Sequence, residues 1–354
     1  RGRGEQHVNR APGEENHGHR NHEYHRILGA NRGDGNQRRW EKLDEDTYDY
    51  GLDLTYPVAD LSWASEFLLK GGVAYTDKQR DSDVRRFSFF GGNANANDID
   101  LISNPSLEDI FNPANIEPDV FEIRDSTRRT DNYTATQELT AAYLMADAYL
   151  VSPFRIMGGV RLEQSEQRVN TFDVFNPDRL PEIAVIESDD ILPALSVTWF
   201  NNEASQLTFA LSQTVSRPDL KELSSAPYTD DQRDVEVRGN PALEQTEIFN
   251  ADLRWQYAMD GVDTLSVAIF FKDFTNPIEF VTLPGTGDIV TLDNADSATN
   301  YGLEFELRRA LTFINDDWYD WFVGFNAAWI ESEITLPADA LTVNTNASRP
   351  LQGQ

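Results

Sequence analysis

Hydrophobic and polar residues alternate along much of the chain with a period of two. In the stretch DTYDYGLDLTYP (46–57), large apolar side chains take the even positions from 48 to 56, and acidic or small residues take the odd ones. Successive side chains of a β-strand point to opposite faces of the sheet, so this stretch is predicted to be a strand with one apolar face. Whether that face meets a protein core or lipid decides the class of the protein.

The same alternation recurs along the chain. Regular runs lie at 67–75, 154–162, 207–211, 249–257, 265–271, 301–307 and 321–329, and less regular ones at 133–150 and 192–200. Together the runs predict about ten strands and almost no helix.

The links between these runs alternate in length. Short links lie at 58–60, 152–153, 201–203, 260–261 and around 315–317. Long polar links lie at 77–131, 170–190, 217–245 and 275–298, and a last one opens near Thr335. This alternation is typical of outer-membrane β-barrels, which have short periplasmic turns and long extracellular loops.

Aromatic residues gather beside the short links. Five of the seven tryptophans lie there: Trp63, Trp199, Trp255, Trp318 and Trp321. Rings at one end of successive hairpins form a girdle at a membrane interface. The strands of a soluble β-sandwich also alternate between apolar and polar residues, but they are shorter. A sandwich also has no reason to place every long loop at one end. The pattern therefore predicts an all-β fold, an antiparallel transmembrane β-barrel whose apolar face meets lipid.

Composition excludes several other classes. The 354 residues carry 60 acidic and 30 basic side chains, a formal net charge of -30 that repels nucleic acid phosphates. Cysteine is absent, which rules out disulfides, thiolate metal sites and cysteine nucleophiles. No apolar run is long enough for a membrane helix. The first residues contain neither a signal peptide nor an initiating methionine, so we expect an internal fragment of a longer protein.

Motifs of catalysis are missing from the sequence. We find no nucleophile elbow, zinc-binding helix motif or phosphate-binding glycine loop, and no carboxylate pair fixed across a sugar ring. Neighbouring acidic residues such as Asp189 and Asp190 are expected by chance in so acidic a chain, and we interpret them as part of a solvated loop. The sequence thus predicts a protein that is not an enzyme and that has no cofactor.

The first 45 residues form a separate, polar segment. It contains all five histidines of the chain, His7, His17, His19, His22 and His25. Imidazoles in this density are able to bind zinc, copper or nickel. Because the segment shows no strand period and no residues to orient the imidazoles, we favour an irregular loop without a metal site. The predicted organisation is a His-rich segment at 1–45 and a barrel domain at 46–354.

Two segments resemble a known family. SQTVSRPDLKEL (212–223) and VRGNPALEQTEIFNADLRWQY (237–257) resemble the strand, loop and strand of TonB-dependent receptors. Weaker resemblances are GGVRLEQS (158–165), FFKDFTNPIE (270–279), NYGLEFEL (300–307) and RPLQGQ (349–354). The resemblance covers roughly residues 48–354.

This resemblance implies a barrel of roughly 22 strands around a plugged lumen. Such receptors take up ferric siderophores, cobalamin or oligosaccharides with energy from the TonB complex. The sequence shows no plug, no TonB box and too few strands, so we expect a central barrel fragment. Its implied partners are outer-membrane lipid, a small ligand, and TonB through the missing plug. The open alternatives are a passive porin-like channel and a soluble β-rich adhesin or binding module.

Candidate ligand contacts lie in the link 217–245, because loops on a rigid scaffold often carry recognition. They are Arg217, Tyr228, Asp230, Arg233 and Arg238. Arg217 and Pro218 also lie in one family-like segment, and Gly239, Asn240 and Pro241 lie in the other. These residues are alternatively expected to fix the turns of the loop. A second set of polar residues is predicted to face the lumen, where it hydrates the interior, binds a plug or contacts substrate. This set is Arg155, Arg161, Glu163, Asp252, Arg254, Lys272, Glu304, Glu306 and Arg308.

Overall fold

The structure of the chain is a computed structural model. It describes residues 2–6, 37–91, 113, 116, 121–151, 153–230, 235–258, 263–283, 289–315, 317–318, 320–336 and 348–349. Within these ranges the regular structure consists of β-strands and a short 3-10 turn, Leu311–Phe313. No helix in the described ranges is long and apolar enough to cross a membrane.

Seventeen strands are present in the described residues. They are β1 (Gly2–Gln6), β2 (Gln37–Pro57), β3 (Ala64–Gly91), β4 (Phe121–Asp125), β5 (Asn132–Leu150), β6 (Phe154–Phe172), β7 (Glu182–Asn202), β8 (Ser205–Ser216), β9 (Pro227–Asp230), β10 (Val235–Arg238), β11 (Thr246–Ala258), β12 (Thr264–Thr275), β13 (Ile278–Leu283), β14 (Ile289–Asn294), β15 (Ser297–Ala310), β16 (Phe322–Thr335) and β17 (Ser348–Arg349).

The main sheet is an antiparallel meander. Its order is β1-β2-β3-β5-β6-β7-β8-β11-β12-β15-β16-β17, with β4 paired to β3. Ten of these strands are long and neighbour one another in chain order, as the alternation predicted. Among the described strands, β1 and β17 form the two edges and do not pair with each other, so the sheet is a partial barrel. The predicted fold class is confirmed.

One face of the main sheet is apolar from strand to strand. Phe209, Leu253, Ile269, Leu303 and Trp329 are register partners on five consecutive strands. Their side chains are between 39% and 56% exposed, so the described residues do not cover this face as a protein core would. We call it the outer face, and the opposite, polar one the inner face. The aromatic residues beside the short turns continue the outer face, with Trp199 40% and Trp321 68% exposed.

Several strands run further than the alternation predicted. The prediction of a long link at 77–131 is wrong in its first part, because β3 continues to Gly91. The link at 170–190 is also too long, since β6 ends at Phe172 and β7 begins at Glu182. Likewise β2 begins at Gln37, so the predicted division at residue 45 falls inside a strand. Backbone pairing with the neighbouring strand maintains these extensions where the apolar alternation has ended.

A second, small sheet forms within two of the predicted long links. Its order is β13-β14-β10-β9, drawn from 217–245 and 275–298. A buried cluster joins these segments to the inner face of the main sheet. We call the main sheet the wall. It contributes Tyr133, Val169 and Ala184 to the cluster, and the links contribute Leu220, Leu223, Val237 and Leu292. The two links therefore fold inward against the wall and position the candidate site there.

Candidate functional site

The link between β8 and β11 is fastened to the wall at both of its ends. At its start, Arg217 places Nη2 2.6 Å from Oδ2 of Asp190 and Nη1 3.0 Å from Oε2 of Glu163. At its end, Gln245 donates to Oδ1 of Asp190 at 2.6 Å. Glu163 and Asp190 are register partners on β6 and β7. The interpretation of Asp190 as part of a solvated loop is wrong, because β7 extends through it and Arg217 binds it.

The RGNP motif locks the middle of the same link. Gly239 lies against the carbonyl oxygens of Lys221, Glu222 and Ser224, and a Cβ at this position would overlap them. The Asn240 backbone N–H donates to the carbonyl of Glu222 at 2.7 Å, and its side chain donates to the carbonyl of Leu292 at 3.0 Å. Glycine is required here by the close approach of backbone, so the motif holds the two halves of the link together.

Ion pairs connect the link to the extended parts of the wall. Arg80 on β3 donates to Asp219 at 2.8 Å and to Glu45 on β2 at 2.6 Å. On the other side of the link, Glu236 accepts from Arg128 at 2.6 Å. Through these contacts, the inner face of the extended strand ends forms a docking surface for the link.

The carboxyl groups of the link respond differently to this environment. Burial alone would raise the pKa of Asp219, but the hydrogen bond from Arg80 and further contacts lower it below its ordinary value. Burial also opposes ionisation of Glu236, yet Arg128 and Arg86 lower its pKa. The pKa of Glu222 is raised, chiefly by burial, although it accepts a hydrogen bond from the backbone N–H of Asp219 at 2.9 Å. The ionised forms of Asp219 and Glu236 thus stabilise the docked link, whereas burial disfavours the ionised form of Glu222.

A cavity of about 360 Å³ lies between the wall and the docked link. Arg39 on β2 and Asp131, just before β5, supply charged groups from the wall, and Tyr228 on β9 and Lys221 line it from the link. The ammonium of Lys221 lies 4.5 Å from the centre of the Tyr228 ring, a cation–π contact. Concave sites with a few convergent polar groups are the usual places for small ligands.

Two polar atoms of residues that line this cavity are buried without a partner in the part of the chain that the structure describes. The Asp131 side chain is fully buried, and its Oδ2 accepts from Arg86 Nε at 2.9 Å and from the backbone N–H of Arg128 at 2.7 Å. Its Oδ1 has no hydrogen-bond partner among the described residues, and the same holds for Nε of Arg39. Buried polar atoms are nearly always hydrogen-bonded, so these two atoms are among the exceptions in the described residues.

The predicted ligand contacts are spread over the docked link. Tyr228 lines the cavity, whereas Arg217 lies at the anchor on β6 and β7. Asp230 ends β9 and Arg238 ends β10, and the carbonyl of Arg238 accepts a hydrogen bond from Thr291 at 2.8 Å. Arg233 lies outside the described residues.

The predicted lumen residues share the inner face of the main sheet. Arg155 donates twice to the buried Asp147, at 2.9 and 2.8 Å, and Arg161 donates to Glu163 at 2.6 Å. On the later strands, Asp252 and Glu304 are exposed, and Lys272 donates to Asn250 at 3.1 Å. Arg254 lies 3.5 Å from Glu306, and Arg308 lies 4.6 Å from the centre of the Phe322 ring. Their position on a face that lines a lumen stays a prediction.

The sequence reasoning missed the wall half of the cavity. Arg39 lies in the segment expected to be irregular, and Arg80 and Asp131 lie in the expected long link. These strand extensions carry polar residues on both faces, so the apolar period that revealed the other strands is missing from them. The charge pairing of Arg80 with Asp219 joins residues 139 positions apart, and no local pattern signals it.

The five histidines of the predicted His-rich segment lie outside the described residues. Within the described ranges, no group of three or more His, Cys, Asp or Glu side chains is arranged to hold a metal ion.

Comparison with known proteins identifies the family. A family model described as TonB dependent receptor-like, beta-barrel, matches residues 5–353. The chain belongs to this family. The resemblance seen in the RGNP segment and its flanks is thereby confirmed. No curated protein sequence matches the chain significantly.

Solved structures of TonB-dependent receptors share the fold. The siderophore receptor PiuA from Acinetobacter baumannii is 18% identical with a TM-score of 0.57, and 84% of this chain aligns with 39% of that one. The unliganded ferric citrate transporter FecA is 15% identical with a TM-score of 0.53, covering 86% and 38%. The copper transporter OprC is 15% identical with a TM-score of 0.54, covering 88% and 40%. The chain therefore spans about two fifths of the length of these proteins.

Proposed function

We propose that this chain forms the central part of the barrel of an outer-membrane receptor that takes up a scarce nutrient with energy from the TonB complex. The observation that carries the proposal is the main sheet itself. Its outer face is apolar across consecutive strands, and its inner face is polar and holds inward-folded links. A lipid-embedded barrel around an aqueous interior needs this distribution. The role is transport, without an enzymatic step.

The aromatic residues beside the short turns set the orientation. Trp63, Trp199 and Trp255 lie near this end of the sheet and are exposed on it. We assign the short turns to the periplasmic side and the long links to the extracellular side, as in outer-membrane barrels generally. The link 217–245 then faces arriving ligand, and Tyr228, Asp230, Arg233 and Arg238 are its proposed contacts. Arg217 holds the link in place, and the lumen residues hydrate the interior or bind a plug.

The ligand is proposed to be a small molecule of low abundance. The solved relatives are described as a siderophore receptor, a ferric citrate transporter and a copper transporter. For this chain the proposed classes are siderophore-bound iron, cobalamin or an oligosaccharide.

Uptake by cells that carry the native gene tests the proposal. Labelled ferric siderophores, cobalamin and oligosaccharides would be offered to cells with and without the gene, in backgrounds with and without TonB. We expect one class to enter only when both the gene and TonB are present. Uptake that persists without TonB would show a passive channel instead of a TonB-dependent receptor. Recovery of the protein from the aqueous fraction without detergent would replace it by a soluble binding module.

A further inference from the structure

The two links that fold inward are joined to each other as well as to the wall. We call their described parts, within 217–245 and 275–298, the docked unit. We propose that the docked unit is a single rigid body that stays on the wall while ligand passes, so that it acts as a fixed partition at the inner face and not as a lid. The inference rests on the proposed function, because it takes the protein to be a receptor whose links face arriving ligand.

Strand pairing joins the two links. β10 from 217–245 and β14 from 275–298 pair in parallel, with Val237 opposite Val290 and Arg238 opposite Thr291. The hydroxyl of Thr291 also donates to the carbonyl of Arg238 at 2.8 Å. β9 and β13 extend this pair to a sheet of four strands. Movement of one link alone would break the pairing in the middle of this sheet and leave its backbone groups unsatisfied, so any movement of the links has to be a joint one.

Asn294 fastens the ends of the two links to each other. Its Oδ1 accepts from the backbone N–H of Glu244 at 2.8 Å, and its Nδ2 donates to the carbonyls of Glu244 at 3.0 Å and Asn276 at 2.8 Å. Nδ2 of Asn276 in turn donates to the carboxylate of Glu244 at 3.0 Å. A side-chain amide offers both donors and an acceptor, and here both functions are used between the links. Asn294 is therefore a positioning residue of the docked unit.

The docked unit is buried like a folded core. Mobile lids belong to the least stable parts of a protein and have few buried apolar contacts. Undocking would expose apolar side chains from both links to water, and it would separate Arg217, Asp219 and Glu236 from their partners on the wall. The apolar side chains, each no more than 2% exposed, are Leu220, Leu223, Val237 and Leu292. The docked state is therefore the stable one.

A disulfide between the docked unit and the wall, introduced into the protein of the native gene, tests the inference. Thr171 on β6 and Ser224 in the link have their Oγ atoms 3.4 Å apart. Cysteines at both positions would place their sulfur atoms near the bond length of about 2 Å, and the chain contains no cysteine of its own. In cells with Thr171→Cys and Ser224→Cys, we expect oxidation to leave the uptake of labelled ferric siderophore, cobalamin or oligosaccharide unchanged.

Thr198→Cys with Thr208→Cys is the matched control. These residues are register partners on β7 and β8, with Oγ1 atoms 3.0 Å apart, so their disulfide joins two strands of the wall. It should leave uptake unchanged whether or not the docked unit moves. Loss of uptake on oxidation of the Thr171 and Ser224 pair alone, regained with a reductant, would show that the docked unit has to leave the wall. That result would overturn the inference and leave the receptor function standing.

Amide hydrogen exchange tests the single body without uptake, and also if the disulfide variants do not fold. Asn294→Ala removes three hydrogen bonds between the links and should accelerate exchange about tenfold or more. We expect the acceleration at 289–294 in one link and, by a similar factor, at 220–226 in the other. Asn326→Ala removes an exposed amide from β16 and should change neither.

The exchange result and the uptake result separate the two proposals. Faster exchange confined to 289–294 would show that the links open independently, and the single body would be refuted whatever the protein transports. Joint acceleration in a protein that takes up none of the labelled probes would support the single body and refute the receptor function.

Discussion

Arg217 binds Asp190 with 2.6 Å between Nη2 and Oδ2, and the contact fastens the start of a long link to the wall. Both side chains are largely buried, with 13% and 9% exposure. Asp190 also receives Gln245 from the other end of the link at 2.6 Å. One carboxylate thus closes a loop of the chain onto the inner face, and the candidate site depends on that closure.

Arg217→Ala should release the link from the wall. The substitution removes the cation shared by Glu163 and Asp190 and leaves Asp190 without an ion-pair partner among the described residues, although Arg161 still pairs with Glu163. Breaking a buried pair in this way costs about 3–5 kcal/mol. We expect amide hydrogen exchange between Leu220 and Ala226 to accelerate by about 100-fold or more. Arg168→Ala removes an exposed pair and should leave these rates unchanged. Equal exchange in both variants would show that the anchor does not hold the link.

Gly239→Ala should also loosen the link, by steric overlap. The new Cβ would meet the carbonyl oxygens of Lys221, Glu222 and Ser224, and overpacking of this kind costs about 1–3 kcal/mol. Faster trypsin cleavage after Lys221 in the folded, detergent-solubilised protein would report the change. Gly324→Ala is the control, since a Cβ there meets nothing within 4 Å. The close packing at Gly239 would be disproved by cleavage as slow as in that control.

Acid should weaken the docking through Asp219. Its pKa is lower in the folded protein than its ordinary value of 3.8, so the carboxylate stabilises the docked link above that value. This contribution is lost as the pH falls through the lowered pKa. The stability difference between the unsubstituted protein and Asp219→Asn, measured by urea unfolding, should be full at neutral pH and vanish in strong acid. A difference that does not depend on pH would exclude the ionised carboxylate as its cause.

Glu222 should show the opposite dependence. Burial raises its pKa above the ordinary value of 4.5, so its contribution to stability is present below that value and lost as the pH rises through the folded-state pKa. Glu222→Gln removes the buried charge and keeps an acceptor for the N–H of Asp219. We expect the variant to be more stable than the unsubstituted protein at neutral pH in urea unfolding, and to lose that advantage in acid. Lower stability of the variant at neutral pH would contradict the assignment.

Neighbouring residues on β15 should distinguish the two faces of the sheet. Leu303 is 43% exposed on the outer face, and an arginine on the lipid face costs up to about 2–4 kcal/mol near the bilayer midplane. Leu303→Arg should therefore lower the yield of heat-modifiable, folded protein after refolding into lipid vesicles. Glu304→Arg places the same side chain on the inner face and should refold normally. If Glu304→Arg were the more damaging change, the assignment of the outer and inner faces of the sheet would be reversed.

The strands and their faces were predictable because the signal is local. Alternation from Tyr48 to Tyr56, and from Leu265 to Phe271, reflects the period of the extended backbone itself. Chain order then gave the neighbours, since successive strands of a meander pair with one another. Fold class and family followed from these features and from the RGNP segment.

The tertiary structure decided where the strands end and where the links go. Residues such as Arg80 and Arg39 continue β3 and β2 without an apolar face, because pairing with a neighbouring strand satisfies their backbone. The link 217–245 folds inward since Arg217, Asp219 and Glu236 find opposite charges on distant strands. A hydrophobic period is encoded within a few residues, whereas a buried ion pair exists only after the chain has brought its two partners together. The sequence alone therefore determined the wall of the barrel, and the fold determined the site on it.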